Sequence, residues 1–486
     1  MKILNRSDIL AAEQNAVSNG IFSLADLMKN AGEGAALVIA QKYNIKAKKI
    51  LVVCGKGNNG GDGAVIAKRL LELGAYVSCV FPLGIPEKYP ASEYVSDLKL
   101  PLLSGFDDEY DYIIDALFGI GYSYREDKAV QNVIDKINLC SGVKISVDIP
   151  SGIECDGAAE PVCAVRADFT VTFIAPKSCF YMPLTGEYCG EWTVVDIGIA
   201  PISYSYLTTP VPESIKRPAF ANKGDFGTVL NICGNYGMCG AQIMSCLASL
   251  RSGAGIVRAI VNEKNYAPFC ADVFEAVTVP VPCDIYGCSE IDANLLLRET
   301  EKSDAVLIGC GMGNSPAASA MIKNILLNIN DIPVVIDADG INTVSSDINI
   351  IRKIKAPVIV TPHPKEMSRL CHTTVREIEL DPVKYAKSFS MQNSCVVVLK
   401  FARTVIASPD GRVFFNTTGN AGMATGGSGD VLAGIIVSFL AQGQSPLKAA
   451  LDGVYYHGLA ADAALKSNNE RSLLPRDIIE GLKTVL

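Results

Sequence analysis

The chain has 486 residues, of which 49% are hydrophobic and 19% charged, with a formal net charge of -8. That length predicts two or three domains at ~100–200 residues each, and the apolar content excludes a disordered chain. The acidic balance excludes a nucleic-acid surface, which needs clustered Lys and Arg, but leaves open small anions held by backbone amides.

No apolar segment follows Met1, so no signal peptide is expected. The longest apolar run near the C-terminus, residues 431–441, is too short for a bilayer, which takes ~20 residues. The sixteen cysteines are scattered without a CxxC pair. They read as reduced, mostly buried thiols of a cytoplasmic protein. The three histidines, His363, His372 and His457, lack zinc spacing.

In chain order, residues 24–43 carry a helical period without proline. Residues 50–54 form a short apolar strand that runs into glycines, and residues 64–73 read as a helix. Strand-like runs follow at 76–81, 112–116, 144–149 and 169–174. Strands alternating with helices predict a parallel sheet covered on both faces. Between residues 201 and 223, Pro201, Pro210, Pro212 and Pro218 mark a linker, which sets domains at 1–211 and 212–486. Beyond it the alternation restarts. Strands are predicted at 228–233, 305–308, 333–336, 358–361 and 396–399, and helices at 241–251, 431–441 and 447–465.

The first glycine segment, CGKGNNGGDG from Cys54 to Gly63, leaves a strand and enters a helix. It therefore lies at the carboxyl edge of the sheet, where ligands bind. Gly55, Gly57 and Gly60 fit G-x-G-x-x-G, but the second strand ends in VFPLG without the acid that holds ribose. An ordinary dinucleotide dehydrogenase loses support. Asn58, Asn59 and Asp62 suit either a tight turn or a binding loop. Asp115 in IIDALFGIG, and Asp148 and Ser151 in SVDIPSG, end further strands at the same edge. Oxygen ligands gathered there can hold a monovalent cation, and a carboxylate can move protons.

NNGGDG, DALFGIG and VDIPSG in this order resemble the NAD(P)H-hydrate epimerase family over residues 1–200. The resemblance implies a Rossmann-like three-layer αβα sandwich. By it, Asn58, Asn59, Gly60, Gly61 and Asp62 line the substrate nucleotide, with Asp148 acting at the reacting ring. It also implies K+ ligated by Asn59, Asp115 and Ser151. Gly119, Ile120, Gly121, Tyr122, Ser123, Tyr124 and Arg125 become a phosphate-facing loop. The family often has a shorter spacing from GIG to Arg than GIGYSYR.

The second half carries KGDFGT, RSGAG, TPHPKE and TGNAGMATGGSGDVLAG. In the last, glycines stop at Asp430 directly before a long apolar helix. Glycine amides and a helix N-terminus make a phosphate cradle. Asp430 is then either a cap or a proton acceptor. His363, between two prolines at a strand end, is either a structural or a ligand-facing histidine.

GGSGD resembles the ribokinase-like superfamily. The whole set resembles its NAD(P)H-hydrate dehydratase branch over residues 215–486, which implies a ribokinase-like α/β domain. The implied reaction phosphorylates the S-hydrate from ADP or ATP with Mg2+, and phosphate then leaves. Asp430 is the implied base. Ala254, Gly313, His363 and Asp430 are implied to contact the substrate, and Gly429 with Lys400, Phe401, Ala402, Arg403 and Thr404 the nucleotide. Phe401 stands where the family usually has Gly.

The two halves together imply salvage of both epimers of hydrated NADH and NADPH by a homo-oligomeric enzyme. A small-molecule kinase with an inactive nucleotide-binding N-terminal domain and a nucleotide-sensing or protein-binding module are the rival readings.

Overall fold

The computed structural model of the chain describes residues 1–103, 105, 109–213, 217–285, 287–329 and 332–486. It divides into two compact units, Met1–Leu207 and Thr208–Leu486. The break falls inside the proline-rich stretch expected as a linker, of which residues 214–216 lie outside the described residues.

The first unit holds a parallel sheet in the order Leu102–Leu103, Tyr76–Val80, Lys49–Cys54, Tyr112–Ala116, Val143–Val147, Phe169–Phe173, Glu191–Val195. The chain winds outward in one direction from Lys49–Cys54 and in the other from Tyr112–Ala116. The switch point of this doubly wound sheet therefore lies between those strands, where ligands bind. Ile50, Leu51, Val52 and Val53 are all fully buried, as expected for a strand covered on both faces.

Helix Leu24–Lys42 starts as expected, because Ser23 and Asp26 form a capping box. The helix after the first strand differs: it spans Asn58–Glu72 and begins six residues before the expected start at residue 64. The glycines are its first turns rather than a loop. They are needed there because Gly60 rides on the preceding backbone: a Cβ on it would lie 1.8 Å from the Gly55 carbonyl oxygen. A Cβ on Gly55 would lie 1.9 Å from the Leu117 carbonyl oxygen. Gly55→Ala must move backbone, so it is expected to destabilise this unit by about 1–3 kcal/mol. Chemical denaturation followed by tryptophan fluorescence measures this, since Trp192 is the chain's one tryptophan and packs against Phe180 at 5.5 Å.

A further helix, Arg6–Ser18, was not predicted. Its buried face is built from Ile9, Ala12 and Ala16, too small a set of apolar residues to show a period.

The second unit is a sheet in the order Val413–Phe415, Val405–Ala407, Val396–Leu399, Val358–Val360, Val334–Ile336, Ala305–Ile308, Thr228–Ile232, Ile256–Asn262, Val277–Val281. The strands are parallel except at the Val413–Phe415 edge, where two antiparallel pairings occur. The apolar segment expected at 431–441 extends as helix Ser428–Ala441, buried nearly all round, as a helix without a polar face must be. Among the described residues no helix is long and apolar enough to cross a membrane. All sixteen cysteines are free thiols.

Candidate functional sites of the two units

In the first unit a cavity of about 450 Å³ opens at the switch point. Helix Asn58–Glu72 contributes Asn58, Asn59 and Asp62; the segment after Tyr112–Ala116 contributes Leu117 to Tyr122; Asp148 and Lys177 close one side. Helix Arg6–Ser18 adds Ile9, Leu10 and Glu13.

Asp148 follows strand Val143–Val147 with a backbone φ of +68°, a strained conformation for a residue other than glycine. Its Oδ1 lies 2.7 Å from Lys177 Nζ, and its Oδ2 accepts the Ile120 N–H at 3.0 Å. Lys177 is 1% exposed and also donates to Thr172 Oγ1 at 2.6 Å and to the Phe173 carbonyl at 2.9 Å. All three ammonium protons therefore have acceptors, which is what permits a charge so deep. The chain passes close over this pair: a Cβ on Gly119 would lie 2.6 Å from Asp148 Oδ2 and 3.3 Å from Asn59 Oδ1.

Asp115 is fully buried and takes four donors: Ser151 Oγ at 2.5 Å, Ser151 N–H at 2.8 Å, Ser146 Oγ at 2.9 Å and Leu117 N–H at 3.3 Å. Burial still pushes its carboxyl above the ordinary range. Asn59 donates from Nδ2 to the Val147 carbonyl at 3.3 Å. Burial, then the neighbouring Asp148, pushes Glu13 up to about 6; burial, Asp148 and Glu13 push Asp62 well above its ordinary value.

The expected site residues thus divide. Asn58, Asn59, Asp62, Gly119, Ile120, Gly121, Tyr122 and Asp148 line the cavity. Gly60 and Gly61 are buried against Gly55 and Met28, so they allow close packing and do not line it. Ser123, Tyr124 and Arg125 are exposed and lie outside the lining, with the Tyr124 N–H held by Glu154 at 2.9 Å. Lys177 and Glu13 were missed. Lys177 had a visible signal, a lone cation among apolar residues after a strand; Glu13 had none.

In the second unit the carboxyl edge of the sheet gathers Cys310, Asp337, Thr361 and Lys400, each just past a strand end. Lys400 Nζ lies 2.8 Å from Asp337 Oδ1, which also accepts Thr361 Oγ1 at 2.7 Å. Burial opposes the Lys400 charge, but Asp337 and Glu366 outweigh it and hold the ammonium above its ordinary range.

Asp430 stands in the first turn of helix Ser428–Ala441, after Gly427 at φ +99°. Ligand atoms of Asp430, Asp337 and Cys310 lie within 4.8 Å of one another. Burial, then Asp337, pushes Asp430 up to about 6. Its side chain does not cap the helix, since Gly427 holds the cap position. Gly429 approaches the same group, its Cβ position 3.4 Å from Lys400 Nζ. Ser428 Oγ lies 3.3 Å from His457 Nε2, and burial lowers that histidine to about 4.

His363 caps helix Pro364–Leu370: its Nδ1 accepts the Lys365 and Glu366 N–H groups at 3.1 and 3.4 Å. Burial pushes Glu366 up to about 7, with Asp337 adding to the shift. The Gly313 N–H donates to Asp339 Oδ2 at 2.7 Å, just beyond Asp337. Ala402 and Arg403 are exposed, Arg403 being tied to the Thr417 carbonyl at 3.0 Å; Phe401 is half-buried and Thr404 buried.

Ala254 is not brought to this group. It precedes strand Ile256–Asn262, at the amino edge of the sheet, and its N–H donates to Ser438 Oγ at 3.0 Å, well down helix Ser428–Ala441. The RSGAG backbone is closely packed there, a Cβ on Gly255 lying 1.8 Å from the Lys223 carbonyl oxygen. Asp337 was missed although it ends an apolar strand as Asp115 and Asp148 do.

Residues 24–179 match the family described as YjeF-related protein N-terminus, and residues 229–484 the family described as NAD(P)H-hydrate dehydratase. The bifunctional NAD(P)H-hydrate repair enzyme Nnr of Moorella thermoacetica is 35% identical, covering 95% of this chain and 92% of that one. Its namesake in Escherichia coli is 31% identical over 99% and 93%. The ADP/ATP-dependent NAD(P)H-hydrate dehydratase of Bacillus subtilis, co-crystallised with ATP and Mg2+, is 29% identical with a TM-score of 0.48, covering 56% of this chain and 92% of that one. With the two family regions in tandem and whole-length relatives of one kind, the chain belongs to the bifunctional NAD(P)H-hydrate repair enzymes, an epimerase followed by a nucleotide-dependent dehydratase.

Proposed function

We propose that the cavity beside Asp148 and Lys177 is the epimerase site, and that Asp430, Asp337 and Lys400 form the dehydratase centre. The carrying observation is that each unit gathers a Lys–Asp ion pair at the carboxyl edge of its own sheet, beside glycine backbone, buried in the first unit and with a partly buried lysine in the second. Hydrates of NADH and NADPH are the substrates of both units, with ADP or ATP consumed by the second. In the dehydratase Asp430 takes the hydroxyl proton as that oxygen attacks the terminal phosphorus. AMP or ADP leaves, the C–O bond of the new phosphate ester then breaks as the ring nitrogen's electron pair forms C=N, and loss of a proton from the adjacent ring carbon to solvent restores the dihydronicotinamide beside inorganic phosphate. The amides of Ser428 and Gly429 and the Lys400 ammonium suit the transferring phosphoryl group.

Lys400 to Thr404 and Gly429 are assigned to the nucleotide, and Gly313 and His363 to the hydrate. Mg2+ supplies charge neutralisation between nucleotide phosphates when bound. Asp337 and Asp430 offer the hard oxygens it prefers, whereas the Cys310 sulfur does not. For K+ the fit is of the same kind: Ser151 Oγ, Asp115 and the Asn59 carbonyl are all oxygen, and the Asn59 oxygen has no hydrogen-bond partner among the described residues. Asp115→Ala is expected to lower epimerisation and abolish its response to K+, with dehydration intact; an unchanged response rules out that site. The free thiols support a cytoplasmic location. A homo-oligomer belongs to the same reading and is checked by sedimentation.

The deciding experiment incubates the purified chain with mixed hydrates and ADP, ATP or neither. Complete conversion of both epimers to NAD(P)H with release of inorganic phosphate is expected with nucleotide, and equilibration of the epimers without it. A stable phosphate ester as product identifies a kinase instead.

A further inference from the structure

Three carboxylates line the first unit's cavity, and their surroundings differ. Asp148 has the buried Lys177 ammonium at 2.7 Å and the Ile120 N–H at 3.0 Å, partners that suit a carboxylate ion. Asp62 and Glu13 have no hydrogen-bond or ion-pair partner among the described residues. Glu13 reaches the cavity from helix Arg6–Ser18, with Ile9 and Leu10 of the same helix as apolar lining beside it. The charged groups that face it are Asp148 and Lys177, and Asp62 feels its charge in turn.

The reaction needs two such environments. Hydration of an enamine puts the hydroxyl on the carbon next to the ring nitrogen, so inverting that carbon means exchanging the face that carries oxygen. We propose that Glu13 is the general acid of the epimerase and works opposite Asp148 as base, a deepening that rests on this cavity being the epimerase site.

The Glu13 carboxyl proton goes to the substrate hydroxyl. The C–O bond breaks as the ring nitrogen's electron pair forms a C=N bond, and water departs. A water then attacks the other face of that carbon, the C=N electron pair returns to nitrogen, and Asp148 takes the proton this water sheds. One proton has left Glu13 and one has reached Asp148, and return of that proton through solvent resets the site. Two groups whose surroundings favour opposite protonation states are what such a step requires.

Glu13 suits the donor role better than Asp62. Its carboxyl, pushed up to about 6, can both give and regain a proton near neutrality. Burial, Asp148 and Glu13 hold the Asp62 carboxyl well above its ordinary range, and it suits a hydrogen bond to the substrate.

The test uses the full chain, the pure R-hydrate, no nucleotide, and direct separation of the two epimers over time. A working acid must be protonated, so kcat/KM for epimerisation is expected to fall as pH rises through about 6. Glu13→Gln is expected to lose about 10²-fold in kcat, with KM little changed and that limb absent. Glu13→Asp retains the limb at a reduced rate. Dehydration of the S-hydrate by the same samples, with an unchanged Trp192 unfolding transition, shows that the chain is folded. Should Glu13→Gln not fold, Glu13→Asp decides alone: a limb near pH 6 that it leaves unaltered in position and height overturns the proposal.

Near-normal kcat with the limb intact in folded Glu13→Gln also overturns it. Asp148→Asn separates the two levels of the argument. If that variant still epimerises, the cavity is not the epimerase site; if it is dead while Glu13→Gln is normal, only the role of Glu13 falls.

Discussion

Asp430→Asn is expected to lose dehydration by about 10²–10⁴-fold while nucleotide binding and epimerisation stay at wild-type level. The carboxylate sits within 4.8 Å of Asp337 and Cys310 ligand atoms, in the first turn of an apolar helix whose cap is Gly427. The helix therefore gains nothing from a side-chain cap at 430, and the amide variant tests charge without touching fold. Burial and Asp337 push the Asp430 carboxyl up to about 6. A base works ionised, so the wild-type rate should fall as pH drops through about 6, and the residual rate of the variant should lack that limb. Steady-state phosphate release at several pH values measures both. Near-normal turnover by a folded variant places the base elsewhere.

Much of this centre was legible, because phosphate chemistry at a helix terminus imposes a local pattern. Glycines, a small polar residue, an acid and then an apolar helix occur together in GGSGDVLAG, and no tertiary information is needed to see them. The same holds for the strand ends carrying Asp115 and Asp148, where an apolar run stops at a carboxylate. What stayed hidden comes from residues joined only by folding. Lys177 lies 29 positions from Asp148, beyond an intervening strand, and Glu13 lies on a helix too alanine-rich to show a period. Asp337 had the same strand-end signal as Asp115, with Gly340 three residues on, and was passed over because no longer motif frames it. The distance of Ala254 from the Asp430 group has a different origin. RSGAG is conspicuous in sequence because a tight turn enters a buried strand there, and its position at the amino edge follows from the chain direction of a parallel sheet.

Lys177→Met is expected to abolish epimerisation and to weaken the first unit by about 3–5 kcal/mol, leaving dehydration untouched. The ammonium is 1% exposed and satisfies Asp148 Oδ1, Thr172 Oγ1 and the Phe173 carbonyl together. Without it, Asp148 keeps only the Ile120 N–H, and a buried carboxylate faces Glu13 and Asp62 with no cation between them. The carboxylate must then take up a proton or draw in water, and in either case the base of the epimerase is lost. Denaturant unfolding followed at Trp192 reports on this unit, because the chain's single tryptophan lies on its strand Glu191–Val195. Pairing the substitution with Asp148→Asn separates stability from catalysis. The double variant carries neither buried charge, so it should recover part of the lost stability while remaining inactive. Equal destabilisation in the single and double variants would show that Lys177 holds the fold through Thr172 and Phe173 alone. Epimerisation surviving in Lys177→Met would remove the ion pair from the mechanism, since an uncompensated Asp148 at this depth has no other cation to keep it ready to accept a proton.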